Sequence, residues 1–221
     1  MRFALIILSS LHTLCYFWSI FAAILTDMEE LITLDQRLLL ALNGSESTAL
    51  DAFFMTVTHT APWVPLFAVV IAVLWRRVGW RETLLIVAGT ALVVLLSDRI
   101  SSGICKPLFH RFRPSHEPAL AGLVDIVGDY RGGLYGFFSS HAANTFGVAS
   151  FVTLCTRRSG TGIVCLLLFL WAVLSSYSRI YLGLHYPGDI AAGILCGTLM
   201  AFVVYRCFYV PLYPRITNKT L

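Results

Sequence analysis

Three short clusters of polar and ionisable residues stand in a chain that is otherwise strongly apolar. The first is a lysine followed, after six residues, by an arginine and a proline. The second is a Ser-Ser-His run, and the third contains an arginine, a histidine and an aspartate. Each adjoins an apolar run, where ionisable groups tend to be paired or functional. The clusters are Lys106, Arg113 and Pro114; Ser139, Ser140 and His141; and Ser178, Arg179, His185 and Asp189.

The three cations of these clusters, Lys106, Arg113 and Arg179, indicate a site for a multiply charged anion. Arginine offers planar, forked donors to a phosphate, and lysine offers a point charge. The hydroxyl of Ser139 and the backbone N–H groups of the next two residues add donors, because helix N-termini attract anions. The pattern predicts a phosphate site to which Ser140 contributes through its backbone, so that glycine would be tolerated there.

Two histidines and an aspartate go beyond what anion binding needs, and they indicate phosphoryl transfer from an ester. His185 and Asp189 are four residues apart, so on a helical turn they share a face. We expect Asp189 to orient His185, and His185 to attack phosphorus and become a phosphohistidine. His141 is the expected general acid for the leaving oxygen, because imidazole exchanges protons near neutral pH.

The composition places these residues in a membrane protein. The 221-residue chain is 57% hydrophobic and 13% charged, and its mean hydropathy is +0.78. A soluble domain carries about a quarter charged residues, so lipid is the expected solvent. The net charge of +4 is modest, the six cysteines show no metal-ligand spacing, and we expect no nucleic-acid partner.

Six apolar runs predict an all-α bundle with six membrane crossings. A crossing needs about 20 mostly apolar residues, so polar ends must belong to the shorter helices. The first run is longer than the roughly 7–15 apolar residues of a signal peptide, which favours a retained helix over a cleaved one. The runs are Phe3–Thr26, Pro62–Trp75, Thr83–Leu96, Ala142–Thr156, Gly162–Ser178 and Ile190–Val210.

Basic residues between the runs predict the orientation of the bundle. Cytoplasmic loops collect lysine and arginine, and six crossings put the basic loops and the tail on one side. The three polar clusters then share the external side. The basic residues are Arg76, Arg77, Arg81, Arg157, Arg158, Arg215 and Lys219.

The segment between the first two runs predicts an external amphipathic helix. Leu31, Leu34, Leu38 and Leu42 recur at helical spacing. Such a helix lies either on the membrane surface or against the bundle.

Together, the three clusters resemble the signature of the type-2 phosphatidic acid phosphatase superfamily. Its first motif, lysine, six residues and Arg-Pro, is met in full, as is its third, Ser-Arg, five residues, histidine, three residues and aspartate. Its second motif is Pro-Ser-Gly-His, where this chain has Phe138, Ser139, Ser140 and His141. The serine and histidine that carry chemistry remain, and Ser140 adds a Cβ beside the phosphate.

The resemblance implies a single membrane-embedded phosphatase domain over residues 1–221, with the core signature in residues 83–206. It implies metal-independent hydrolysis, no cofactor, and the site at the periplasmic face of a bacterial inner membrane. The implied substrate is a lipid phosphate or diphosphate, such as undecaprenyl diphosphate, phosphatidylglycerophosphate or lipid A, while the oligomeric state stays open. The implied site consists of catalytic His141, His185 and Asp189 and substrate-binding Lys106, Arg113, Ser139, Ser140 and Arg179.

Two other functions fit parts of the pattern. A lipid-phosphate transporter or flippase would use Asp98 and Arg99, near the end of the third run, as an ion path, but it has no need of the two histidines and the aspartate. A vanadium haloperoxidase shares the anion pocket, but enzymes of that kind are soluble. Release of inorganic phosphate separates hydrolysis from transport.

The loop of residues 105–140 is the expected gate for the substrate. Its charged residues either read a headgroup or are simply solvated, and solvation is the simpler interpretation for most of them. They are His110, Arg111, His116, Glu117, Asp125, Asp129 and Arg131.

Overall fold

The computed structural model of the chain describes residues 28–45 and 47–218. The first apolar run, with the choice between a retained helix and a cleaved signal peptide, lies outside the described residues, as does Lys219. Contacts divide the chain into a unit of residues 1–38 and a unit of residues 39–221. Every predicted site residue belongs to the second unit.

The regular structure of the described residues is helical, as predicted. Helix α1 covers residues 28–42. Two π-helical segments, Arg99–Cys105 and Tyr205–Tyr209, join α4 to α5 and α8 to α9. The other helices are α2 (Thr48–Thr58), α3 (Val64–Val78), α4 (Trp80–Asp98), α5 (Lys106–Phe109), α6 (Ser140–Thr156), α7 (Gly162–Tyr181), α8 (Pro187–Val204) and α9 (Val210–Thr217).

Four helical stretches of the described residues are long and apolar enough to cross a membrane. They correspond to the second, third, fifth and sixth apolar runs. The fourth run forms α6, whose 17 residues are fewer than the about 20 that a crossing needs. The six crossings and the external position of the site therefore stay predictions. The four stretches are Ala61–Val78, Trp80–Phe109, Gly162–Tyr181 and Pro187–Thr217.

The segment predicted to be amphipathic forms helix α1. Leu31, Leu34 and Leu38 of its apolar stripe are exposed, while Leu39 is fully buried. The helix is therefore confirmed, and its place on the membrane surface stays a prediction.

Helix α6 lies at the centre of the larger unit and packs on α4, α7 and α8. Phe151 and Val152 of α6 are buried in one apolar core with Val93 of α4 and Leu168 of α7. Ten of its 17 residues are buried, as expected of a helix in a central position. The core fixes the direction of α6, and α6 carries the Ser-Ser-His cluster at its first turn.

Small residues let α6 and α8 approach each other closely. A Cβ at Gly193 would lie 2.6 Å from the backbone oxygen of Ser139, and a Cβ at Gly197 would overlap the backbone of Ala143. Glycine is therefore needed at both positions of this Gly-x-x-x-Gly pattern, which is typical of close contacts between membrane helices. The contact aligns the first turns of α6 and α8, which carry the Ser-Ser-His cluster and Asp189.

Candidate active site

The three predicted clusters meet at one end of the helix bundle. Lys106 follows the π-helical segment, His141 lies in the first turn of α6, and Arg179 lies in the last turn of α7. His185 lies in the turn before α8, and the charges of Lys106, Arg113 and Arg179 all act on its ring. The structure thus brings together residues that are far apart in the sequence.

His185 and Asp189 form a buried pair. Nδ1 of His185 lies 3.3 Å from Oδ2 of Asp189, and the two side chains are 2% and 0% exposed. Helix α8 begins at Pro187, so the pair does not share one face of a helix as the sequence predicts. Asp189 instead lies in the first turn of α8, where Oδ2 also accepts the N–H of Tyr186 at 3.1 Å. The carboxylate therefore caps the helix and holds the imidazole at once.

The second nitrogen of His185 faces Arg113. Nη1 of Arg113 lies 3.2 Å from Nε2, and a guanidinium only donates hydrogen bonds. Nε2 is thus the acceptor, and Nδ1 carries the proton that is donated to Asp189. Burial, followed by the charges of Arg113, Arg179 and Lys106, holds the pKa of His185 well below its ordinary value. The ring is therefore neutral at neutral pH and has its lone pair on Nε2, as a nucleophile requires.

Arg113 is held in place by the loop between α5 and α6. Its backbone N–H donates to the oxygen of Leu134 at 3.0 Å, and its Nε donates to the oxygen of Tyr135 at 3.3 Å. The preceding residue, Phe112, pairs with Tyr135 in an antiparallel bridge. Burial lowers the pKa of the Arg113 guanidinium, so an anion beside it would stabilise the charged form.

Arg179 has an unused donor in this site. The residue is 5% exposed, and its Nη1 donates to Oγ1 of Thr58 at 2.6 Å. Its Nε is buried and has no hydrogen-bond partner among the residues that the structure describes. A buried donor without a partner is costly, and a phosphate oxygen would satisfy this one.

The first of the two adjacent serines caps helix α6. Ser139 is fully buried, and its Oγ accepts the N–H of Ala142 at 3.4 Å. Its own N–H donates to the backbone oxygen of Asp189 at 3.1 Å. Ser139 therefore ties the start of α6 to the start of α8, in addition to its predicted contact with phosphate.

The second serine faces Lys106 through its side chain. Oγ of Ser140 lies 3.0 Å from Nζ of Lys106, 2.8 Å from Oγ of Ser101 and 3.2 Å from Oγ of Ser102. The π-helical segment carries Ser101 and Ser102, and Nζ of Lys106 also donates to Ser102 at 3.2 Å. The expectation that Ser140 contributes only its backbone is therefore incomplete, because its hydroxyl helps to hold the ammonium group.

His141 stands between the charged cluster and an apolar cavity. Its side chain is exposed, and its ring is hydrogen-bonded to the backbone of Thr58. The cavity has a volume of about 460 Å³ and runs between α3, α4, α6 and α7. Its wall is mostly aliphatic and aromatic, with Phe67, Leu74 and Val148 among the lining residues. A polar headgroup at His141 would therefore have room for a hydrocarbon chain next to it.

Several contacts of the site are not predicted by the sequence. Thr58, at the end of α2, bonds both Arg179 and His141, and no local pattern indicates it. The sequence leaves open whether Arg111 is solvated or contacts a lipid headgroup. In the structure its Nη1 donates to Oδ1 of Asp189 at 2.8 Å. Its position two residues before Arg113, inside the first motif, is the one available signal.

Two other charged residues of the loop make contacts away from this cluster. Nη1 of Arg131 donates to the backbone oxygen of Ser115 at 2.8 Å. The backbone N–H of Asp125 donates to Oδ1 of Asn43 at 2.7 Å. These contacts order the loop, and both residues are exposed, which agrees with solvation of their charges.

Comparison with known proteins identifies the relatives of this chain. Residues 82–211 match the PAP2 superfamily. A protein of Bacteroides thetaiotaomicron named lipid A 4'-phosphatase is 39% identical over 80% of this chain and 78% of its own. A protein of Porphyromonas gingivalis with the same name is 36% identical over 85% of this chain and 77% of its own.

A solved structure shows the same fold. The crystal structure of a transmembrane PAP2 type phosphatidylglycerolphosphate phosphatase from Bacillus subtilis has a TM-score of 0.58 and 20% identity to this chain. The match covers 80% of this chain and 85% of that one.

Proposed function

The chain belongs to the PAP2 superfamily and is a membrane lipid phosphatase, and from this premise we propose that it hydrolyses a lipid phosphate monoester through a phosphohistidine on His185. The observation that supports the proposal is that a cluster of cations and an apolar cavity meet at His141. On one side of His141 lie three cations and a neutral histidine, and on the other lies an apolar cavity. A phosphate on a hydrocarbon-bearing lipid matches both.

The phosphate binds among Lys106, Arg113 and Arg179. One of its oxygens takes up the buried N–H of Arg179 that has no partner in the described part of the chain. Arg113 turns its donor from Nε2 of His185 to another phosphate oxygen, which frees the lone pair of Nε2. The cations also offset the charge of the phosphoryl group as it is transferred, which is the main source of catalysis in such reactions.

In the first step, Nε2 of His185 attacks phosphorus opposite the leaving oxygen. The N–P bond forms as the P–O bond to the lipid breaks. Burial and the charge of Arg179 lower the pKa of His141 in the free site to about 4, and the negative charge of the bound phosphate raises it again. The protonated ring then gives its proton to the leaving oxygen. The ring of His185 carries a positive charge while it holds the phosphoryl group, and the carboxylate of Asp189 stabilises that charge.

In the second step, water attacks the phosphohistidine. His141, now neutral, takes a proton from the water as its oxygen bonds to phosphorus. The N–P bond breaks, its electron pair returns to Nε2, and inorganic phosphate leaves. Both steps use only side chains of this chain, so we expect activity to survive EDTA.

We assign the substrate to the lipid A class. A hydrocarbon chain is common to lipid A, undecaprenyl diphosphate and phosphatidylglycerophosphate, so the cavity suits all three. The assignment is supported by the names of the two bacterial relatives, which this chain matches over more than three quarters of its length.

A comparison of substrates tests the function. Purified protein in phospholipid vesicles is given diphosphorylated lipid A, undecaprenyl diphosphate or phosphatidylglycerophosphate, and released phosphate and product mass are measured. We expect lipid A to lose one phosphate with the highest kcat/KM. Faster release from another lipid would move the assignment to that lipid, and no release from any of them would end the proposal.

The site is assigned to the periplasmic face of a bacterial inner membrane, in one domain with six crossings. The external side is inferred from the basic loops, and the bacterial inner membrane is inferred from the family. The topology implies that Leu123 and Arg77, both exposed, lie on opposite sides. In a background without native cysteines, a membrane-impermeant thiol reagent should label Leu123→Cys in spheroplasts and spare Arg77→Cys. The reverse pattern would invert the topology.

A further inference from the structure

The carboxylate of Asp189 has a partner on each oxygen. Oδ2 accepts from Nδ1 of His185 at 3.3 Å and from the N–H of Tyr186 at 3.1 Å. Oδ1 accepts from Nη1 of Arg111 at 2.8 Å. The Asp189 side chain is 0% exposed and that of Arg111 is 26% exposed. The mechanism above uses the bonds of Oδ2 and leaves the ion pair at Oδ1 without a role.

Arg111 is itself held where it can reach this carboxylate. Its backbone oxygen accepts the N–H of Gly136 at 2.9 Å, next to the bridge that orders the loop. Its guanidinium lies over the ring of Tyr186, with the central carbon 4.1 Å from the ring centroid. Tyr186, the partner in this cation–π contact, directly precedes α8. The guanidinium is thus fixed from two elements and directed at Asp189.

A carboxylate without solvent contact needs a compensating cation. Removing one partner of a buried ion pair leaves an uncompensated charge and is strongly unfavourable. An Asp189 without its partner at Oδ1 would turn towards water or another donor, and the bond to Nδ1 of His185 would weaken. Nε2 would then no longer be held as the acceptor in the orientation that attack on phosphorus needs.

We propose that Arg111 is a positioning residue for the nucleophile, acting through Asp189. It holds the carboxylate charged and in one rotamer, so that Asp189 keeps His185 oriented and stabilises the phosphohistidine. In this role Arg111 bonds Asp189, whereas the phosphate contacts are assigned to Lys106, Arg113 and Arg179. This role rests on the phosphohistidine function proposed above.

Kinetics of Arg111 variants test the role. Outer partners that orient the ligands of metal sites contribute about 10- to 100-fold to activity, and we expect Arg111→Gln to lower kcat by a comparable factor. KM should stay within about twofold, because ground-state binding is untouched. Arg111→Lys should recover part of kcat, since it restores the charge but not the fork. A raised KM with unchanged kcat would instead make Arg111 a headgroup contact and overturn the proposal.

Arg131 is the matched control in the same loop. It bonds Ser115 and fastens the loop without contacting Asp189 in the described structure. Arg131→Gln should leave kcat within about twofold of wild type. If Arg131→Gln and Arg111→Gln lower kcat equally, both residues only order the loop, and the proposal fails.

A double-mutant cycle gives a second test that does not depend on the size of the single effect. If Arg111 acts through Asp189, adding Arg111→Gln to Asp189→Asn should cost nothing further. Additive losses would mean that Arg111 acts elsewhere. Size-exclusion profiles and melting temperatures show whether each variant is folded, and Arg111→Lys stands in if the glutamine variant is not. An inactive wild type would end the phosphatase proposal and this one together, whereas an active Arg111→Gln beside an active wild type ends only this one.

Discussion

Two buried carboxyl groups of this molecule sit in opposite chemical surroundings. Asp189, at the start of α8, lies among cations: Arg111 bonds it, and Arg113 lies next to its histidine partner. Glu82, in the first turn of α4, is 5% exposed and accepts a hydrogen bond from the hydroxyl of Tyr209 at 2.8 Å. Among the described residues, Glu82 is thus paired with a hydroxyl group and Asp189 with cations.

The difference between the two clusters distinguishes a ligand-binding site from a structural contact. Around Glu82, the hydroxyl of Tyr209 also reaches the backbone oxygen of Cys155 at 3.5 Å, and its ring stacks on that of Tyr205. Tyr213 adds a second hydroxyl to Glu82, so the polar groups named here have partners within the described part of the chain. Around Asp189, the cations outnumber the carboxylate, and one buried N–H of Arg179 has no partner in the described structure. An excess of unmatched buried charge indicates a ligand, and a matched cluster indicates packing.

The largest expected effect is the loss of the nucleophile at the charged cluster. His185→Ala should reduce kcat by at least about 10³-fold, because residues that act as one catalytic unit lose nearly everything when one is removed. The protein should still fold, since Asp189 keeps its bond to the N–H of Tyr186 and still caps α8. Phosphate release and a melting curve are the measurements. A variant that keeps more than about a tenth of the wild-type rate, a difference of only ~1.4 kcal/mol, would show that His185 is not the nucleophile.

A substitution in the cluster around Glu82 should lower stability and leave the reaction rate unchanged. Tyr209→Phe removes the hydroxyl 2.8 Å from Oε1 of Glu82 and leaves the buried carboxyl group one donor short, at a cost of about 1–3 kcal/mol. We expect a lower melting temperature in detergent and an unchanged kcat. Tyr209→Phe with normal stability and reduced kcat would erase the distinction between the two clusters.

A smaller effect tests the hydroxyl that holds Lys106. Ser140→Ala and Ser140→Gly both remove the oxygen 3.0 Å from Nζ, and each should lower kcat/KM about tenfold, in line with the 1.5–3 kcal/mol of a hydrogen bond to a charged group. Ser140→Thr keeps the hydroxyl and serves as the control. Full activity of the glycine variant would return Ser140 to the backbone role that the sequence predicts.

The smallest effect concerns the protonation of His185. Its pKa is lowered by burial and by the neighbouring cations, so the ring should stay neutral as pH falls from 7.5 to 6.0. An ordinary histidine with a pKa of about 6.5 would be roughly three-quarters protonated at pH 6.0. Nitrogen-15 NMR of histidine-labelled protein, assigned by comparison with His185→Asn, reads this directly. A midpoint near 6.5 would mean that the cluster does not act on the ring.

The same depressed pKa has a consequence for stability. The unfolded chain takes up a proton at His185 near pH 6.5 and the folded chain only at lower pH. The contribution of the neutral ring to folding is therefore present above that pH and is lost as pH falls below it. The His185→Asn variant should lack this part of the acid sensitivity.

Contacts within a motif could be predicted from the sequence because each motif is local. Spacing placed His185 near Asp189, and cation types indicated an anion. The prediction that the two residues share one face of a helix is wrong, because α8 begins at Pro187, after His185, and a turn brings the pair together. A local spacing thus predicted a contact without predicting the backbone that makes it.

Contacts between distant segments could not be predicted in this way. Thr58 and Arg179 are 121 residues apart, and Arg111 and Asp189 are 78 residues apart. No periodicity in the sequence predicts contacts of this kind. The π-helical turn that brings Ser101 and Ser102 to Ser140 has no composition signal either. These contacts depend on how the helix ends pack, and only the fold supplies that.

The close contact of α6 with α8 also bears on how such an enzyme can change over evolution. At Gly193 and Gly197 almost every substitution would push apart the two helices that carry His141 and Asp189. Cavity residues such as Leu74 on α3 and Val87 on α4 are far less constrained, because a changed side chain there alters only the space for the lipid tail. Descendants of one ancestor can therefore diverge in the lipids they accept while inheriting the same reaction centre unaltered.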